Sequence, residues 1–205
     1  MADETPDPEC TADEALRRLV EGNARFLRGE ARFPTLQKET FDELAKAQRP
    51  YATILGCSDS RVPPELVFDA GFGDLFIVRV AGNVVSLEVL GSLQYAGVHL
   101  RTPLFVVLGH SGCGAVKAAL AARRHGPGDR RGIVQLLSII QPGLTGLSAD
   151  LDPETELDAA VEANVRWSMH HVMETPEAKA RTAEGVMKLV GAVYDIRTGA
   201  VRFLP

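Results

Sequence analysis

The spacing of apolar positions changes near residue 50. Before it, Leu16, Leu19, Val20, Phe26 and Leu27, joined by Asn23, recur at three- and four-residue intervals, as one face of a helix does. Thr11-x-x-Glu14 ahead of them has the form of a capping box, and Gly29 supplies a stop. A second helix is expected over residues 36–47, with Phe41 and Leu44 on one face. From Tyr51 onward, short apolar runs alternate with helical stretches. Residues 51–57, 74–81, 104–109 and 186–196 read as strands, and 201–204 as a short edge strand reached through a hairpin turn at 197–200. Helices are expected at 63–68, at 87–100 with Ser86 as cap, at 115–124 and at 133–140. Asp152-Pro153 opens a longer one to about residue 173, with Leu157, Val161, Val165 and Met169 at fourfold spacing.

Alternating strands and helices imply an α/β fold, a mostly parallel sheet flanked by helices. The two N-terminal helices precede every strand and are therefore expected outside the sheet layers, packing on a partner subunit. Residues 1–10 mix prolines with acids and read as a disordered tail that includes Cys10, leaving residues 11–205 as a single domain.

Composition narrows the class of protein. With 45% hydrophobic and 24% charged residues the chain resembles an ordinary globular protein, and its net charge of −5 argues against nucleic acid as a partner. No apolar run approaches the roughly 20 residues of a membrane span, and the acidic start lacks the basic and apolar regions of an export signal. Three cysteines without such a signal point to metal binding or catalysis rather than to disulfides, and to the cytoplasm.

The candidate chemistry lies at two strand ends. Cys57-Ser58-Asp59-Ser60-Arg61 follows the first strand, and Gly109-His110-Ser111-Gly112-Cys113-Gly114 ends the third. In a 2-1-3-4 strand order these ends are neighbours at the reversal, where ligands of open α/β sheets bind. Cys57, His110 and Cys113 would then supply three ligands suited to zinc, with a fourth place open for water. Asp59 can occupy that place, but Arg61 can hold its carboxylate off the metal through paired hydrogen bonds. A cysteine after an apolar strand is often only a small buried hydrophobe, and glycine-rich turns that open helices often bind phosphate. Neither explains two cysteines and a histidine at matched strand ends. An iron–sulfur site would call for four thiolates, and a thioredoxin-like role for Cys-x-x-Cys.

At these residues the sequence resembles the β-class carbonic anhydrases. The family's Cys-x-Asp-x-Arg and His-x-x-Cys motifs stand as Cys57/Asp59/Arg61 and His110/Cys113, and the segment PYATILGCSDSRVPPELVFDAGFGDLFIVRVAGN is similar throughout. The resemblance implies a sheet of order 2-1-3-4 with an antiparallel edge strand, bound Zn2+, a homodimer or a dimer of dimers, and reversible hydration of carbon dioxide to bicarbonate and a proton. The attacking group would be zinc-bound hydroxide oriented by the Asp59–Arg61 dyad. It also implies substrate-pocket roles for Gln48, Phe76, Tyr95 and Gly114, with the partner subunit contributing part of each site. Core packing is the competing role for Phe76 and Tyr95. A subset of the family carries tryptophan three residues before the first zinc cysteine and can place the aspartate on the metal; here that position is Ile54, so the open form, with Asp59 on Arg61, is expected. His99, His125, His170 and His171 are proton-shuttle candidates by residue type alone. Two other readings compete: hydrolysis of carbon disulfide or carbonyl sulfide at the same centre, and a metal-dependent sensing module without turnover.

Overall fold

The computed structural model describes residues 10–32, 41–42, 44–126, 128, 130–148 and 150–205. The strands are β1 (Ala52–Gly56), β2 (Leu75–Arg79), β3 (Leu104–His110), β4 (Lys188–Tyr194) and β5 (Val201–Phe203). The helices are α1 (Ala12–Leu27), α2 (Pro64–Val67), α3 (Leu87–Val98), α4 (Gly114–His125), α5 (Arg131–Ile140), α6 (Pro153–Met173) and α7 (Pro176–Ala183). One five-stranded sheet runs in the order β2-β1-β3-β4-β5. The first four strands are mutually parallel, and β5 pairs antiparallel with β4, as expected.

Alternate residues of the central strands supply the two faces of the core. Ile54, Leu104, Val106 and Leu108 point to the face covered by α1 and α2, where they meet Leu19, Val62, Val67 and Phe68. Leu55, Phe105 and Val107 point to the other face, against Val89, Leu93 and Ala96 of α3 and Val165 and Val172 of α6. A third cluster joins α4, α5 and α6 around Val116, Leu120, Leu137, Ile140 and Val161, and includes Cys57 and Cys113. The caps are those expected. The hydroxyl of Thr11 accepts from Glu14 N–H, that of Ser86 from Val89 N–H, and the Asp152 carboxylate from Glu154 and Thr155 N–H.

Several expectations need correction. Helix α1 does not stand outside the sheet layers: Ala15 and Leu19 are buried on this chain's own sheet, while Val20 and Leu27 stay exposed. Gly22 permits that seat: a Cβ there would lie 1.8 Å from Phe68 O. Cys10 is half-buried against the same cluster instead of lying in an exposed tail, because the start of α1 sits directly on the sheet. The rest of the expected tail, residues 1–9, lies outside the described residues, as do residues 36–40 and 43 of the second N-terminal helix; of its remainder Phe41, Asp42 and Leu44 are helical and residues 45–47 are not. Helix α7, capped by Thr175, and the 3-10 turn Ala81–Asn83 have no counterpart in the sequence reading. No helix among the described residues is long and apolar enough to cross a membrane.

Candidate metal centre

Strands β1 and β3 are direct neighbours in register, with Gly56 opposite Leu108, so the residues that follow them emerge side by side. Gly109 lacks the Cβ that would meet Val165 Cγ2 at 2.6 Å, and this lets α6 close over the end of β3. Gly112, at φ +67°, then reverses the chain into α4, whose cap is Cys113. The outcome is one buried cluster: the ligand atoms of Cys57, His110 and Cys113 all lie within 4.8 Å of one another. His110 is fully buried, and Cys113 and Cys57 are 1% and 4% exposed.

The hydrogen bonds around the cluster fit a cation. Nδ1 of His110 lies 3.0 Å from the Ser111 carbonyl, which can only accept, so that nitrogen carries the proton. Nε2 is left with its lone pair, buried and without a hydrogen-bond partner. Gly82 N–H donates to Cys57 Sγ at 3.3 Å. The two buried sulfurs act on each other's ionisation. The Cys113 thiol, against the opposing effect of burial, pulls Cys57 well below the usual thiol range, and His110 and Gly82 add to this. The Cys57 sulfur and burial in turn drive Cys113 far upward. A divalent cation would let both sulfurs ionise, and two thiolates with an imidazole are the soft set that suits zinc. The residues present therefore fit the metal.

Asp59 stands beside the cluster, its Oδ2 3.9 Å from His110 Nε2. Arg61 holds it with three bonds: its backbone N–H and Nε to Oδ1, at 3.0 and 2.9 Å, and Nη2 to Oδ2 at 2.8 Å. The Arg61 guanidinium keeps this carboxyl well below the usual carboxylate range. Arg79, which the sequence reading passed over as a strand residue, grips the same turn. Its Nε donates to Cys57 O at 2.9 Å and its Nη2 to Asp59 O at 2.6 Å. The legible signal was a cation inside the apolar run LFIVR. Ser111 adds a tie to the far hairpin, its hydroxyl accepting from Ile196 N–H at 3.1 Å.

The remaining candidates are placed differently. Gly114 opens α4 next to Cys113, and a Cβ there would meet nothing within 4 Å. Phe76 pairs in register with Thr53, four residues before Cys57 and so about 13 Å away along the strand. It stacks with Tyr95 at a centroid distance of 6.2 Å, and Tyr95 with His99 at 5.0 Å. Gln48 is exposed and precedes β1, at the opposite end of that strand from Cys57. Within one chain these three do not join the cluster. Ile54 is buried in the core on the α1 side. Of the other histidines, His170 and His171 gather around Trp167, at 5.6 and 4.4 Å between ring centroids.

Comparison with known proteins agrees with this geometry. Residues 52–201 match the family model described as carbonic anhydrase. A carbonic anhydrase of Mycolicibacterium smegmatis is 38% identical over 195 residues, covering 95% of this chain and 94% of that one. Carbonic anhydrase 2 of Mycobacterium tuberculosis is 37% identical over 193 residues, covering 94% and 92%. Among solved structures, the β-carbonic anhydrase of Coccomyxa in complex with acetazolamide superposes with a TM-score of 0.75 at 30% identity, over 92% of this chain and 86% of that one. One of two tetrameric β-carbonic anhydrases of Sordaria macrospora gives a TM-score of 0.73 at 25% identity, over 92% and 96%. By its motifs, its sheet order and its cysteine–histidine–cysteine cluster, this chain belongs to the carbonic anhydrase family, in its β class.

Proposed function

We propose that this chain catalyses the reversible hydration of carbon dioxide to bicarbonate and a proton, with zinc held by Cys57, His110 and Cys113. One observation carries the reading: two buried sulfurs and an unpartnered imidazole nitrogen converge beside a carboxylate that an arginine holds. When bound, zinc supplies a Lewis-acid centre that makes water acidic, less strongly with two thiolates than with three neutral histidines. Asp59, ionised at every working pH, can only accept a hydrogen bond. Its Oδ2 takes one from the reacting water and thereby orients the lone pair toward the carbon of carbon dioxide. Arg61 fixes that carboxylate in place, and Arg79 fixes the turn that carries both. Gly114 leaves space for the substrate on the α4 side.

Self-association as a dimer or a dimer of dimers completes the pocket. Tyr95 is 46% exposed on α3, which also presents Leu87 and Val98 to solvent, an apolar surface suited to a second copy. Seated against the cleft of that copy, Gln48, Phe76 and Tyr95 exclude bulk water from carbon dioxide. The cysteines are free, and two of them must stay reduced to hold a metal, which suits the cytoplasm. The test is carbon dioxide hydration followed by stopped-flow with a pH indicator, before and after removal of metal by a chelator. Turnover that is lost on chelation and restored by zinc supports the proposal. Turnover indistinguishable from buffer in zinc-loaded protein overturns it.

A further inference from the structure

Helix α6 carries two small polar residues on its buried side, Asn164 and Ser168, each 1% exposed. Both reach across the fold to one short turn. Asn164 Nδ2 donates to the Gly82 carbonyl at 2.8 Å, and Ser168 Oγ to the Asn83 carbonyl at 3.0 Å. The turn is under conformational constraint, with Gly82 at φ +70° and Asn83 at φ +44°. A Cβ on Gly82 would lie 2.8 Å from Ile140 Cδ1, so the backbone is pressed against α5 as well. The same Gly82 supplies the N–H that points at Cys57 Sγ from 3.3 Å. Helix α6 is able to come this close because Gly109 lets Val161 and Val165 approach the end of β3.

We infer that Asn164 is a positioning residue for the metal centre: by binding the Gly82 carbonyl it anchors the turn at Gly82, whose N–H, in the preceding peptide unit, donates to the Cys57 sulfur. The inference rests on the metal-binding reading above and extends it to a residue that touches neither metal nor substrate. An N–H directed at a thiolate draws charge away from the sulfur, and hydrogen bonds of this kind tune the ion that the sulfur holds. The interaction also fixes where that sulfur stands. Burying an amide against an apolar core is costly, and the bond from Nδ2 to Gly82 O offsets part of that cost while Oδ1 has no hydrogen-bond partner.

The test uses protein loaded with Co2+, whose thiolate-to-metal charge-transfer bands report on the electron density at the sulfurs. Asn164→Leu and Asn164→Ala remove the donor, one by filling the space and the other by leaving a small void. Val165→Ala loosens the same helix without touching Gly82. The expected result is a shift of the charge-transfer bands to longer wavelength in both Asn164 variants, with Co2+ affinity lowered roughly 10-fold, and unshifted bands in Val165→Ala. Bands at the wild-type position in a folded, cobalt-loaded Asn164 variant overturn the inference, as does an equal shift in Val165→Ala. Absence of thiolate bands in the wild-type protein would instead remove the metal centre on which the inference depends.

Discussion

Asp59 and Arg61 face each other across a single turn, joined by two side-chain hydrogen bonds of 2.9 and 2.8 Å and a third from the Arg61 backbone at 3.0 Å. No metal ligand takes part in this clasp. Loss of the guanidinium therefore leaves the cluster of Cys57, His110 and Cys113 intact and frees the carboxylate. Arg61→Ala is expected to keep its zinc, measured by elemental analysis, while hydration slows by about 100-fold.

The same pair has a signature in acid. Arg61 lowers the folded-state pKa of Asp59, so the clasp contributes stability above the unfolded carboxylate value, about 3.9, and loses it as pH falls through the lower folded value. Carbon-detected NMR of the Asp59 carboxyl is expected to show it ionised below about pH 3.9 in the wild type, and titrating at a higher pH in Arg61→Ala, where of the three bonds from Arg61 only the backbone one remains. A wild-type carboxyl that titrates at the ordinary value would mean that the clasp does not form.

The buried, unpartnered lone pair of His110 Nε2 and the two sulfurs beside it would be satisfied together by a bound cation. Zinc is expected to raise the thermal midpoint, by the equivalent of about 2.7 kcal/mol at a hundredfold excess over the dissociation constant. In Cys113→Ser that metal-dependent increment is expected to vanish. Thermal scans with and without a chelator measure both.

Asn23 ties α1 to the rest of the molecule. Its Nδ2 donates to Val67 O at 3.1 Å and to Gly199 O at 2.9 Å, and its Oδ1 accepts from Val201 N–H at 3.0 Å. Asn23→Leu leaves those three backbone groups unpaired. It is expected to lower stability in urea by about 3 kcal/mol and to speed hydrogen exchange at the Val201 amide.

The sheet and the cluster were legible for related physical reasons. Each strand was a short apolar run closed by a polar or glycine motif, and helices α3, α4 and α6 opened on a capping residue or followed a glycine turn. That two such motifs meet follows from the neighbouring positions of β1 and β3 in a parallel sheet. Helix α7 escaped notice because its eight residues hold no large apolar side chain and bury only Ala178. Arg79, Asn164 and Ser168 act on the site through backbone carbonyls of residues far away in sequence, and no local spacing encodes such partners. The seat of α1 was misjudged because an apolar helix face does not say which surface it covers, whereas Gly22 against Phe68 does. Phe76 and Tyr95 can be placed near each other from one chain, but their distance from Cys57 leaves any pocket role to a second copy.

X-ray absorption at the zinc edge of the purified protein tests the central claim most directly. It is expected to give two sulfurs near about 2.3 Å together with nitrogen and oxygen scatterers near about 2.0 Å. A zinc shell without sulfur, or with four sulfurs, would contradict the assignment of Cys57, His110 and Cys113 as the ligands.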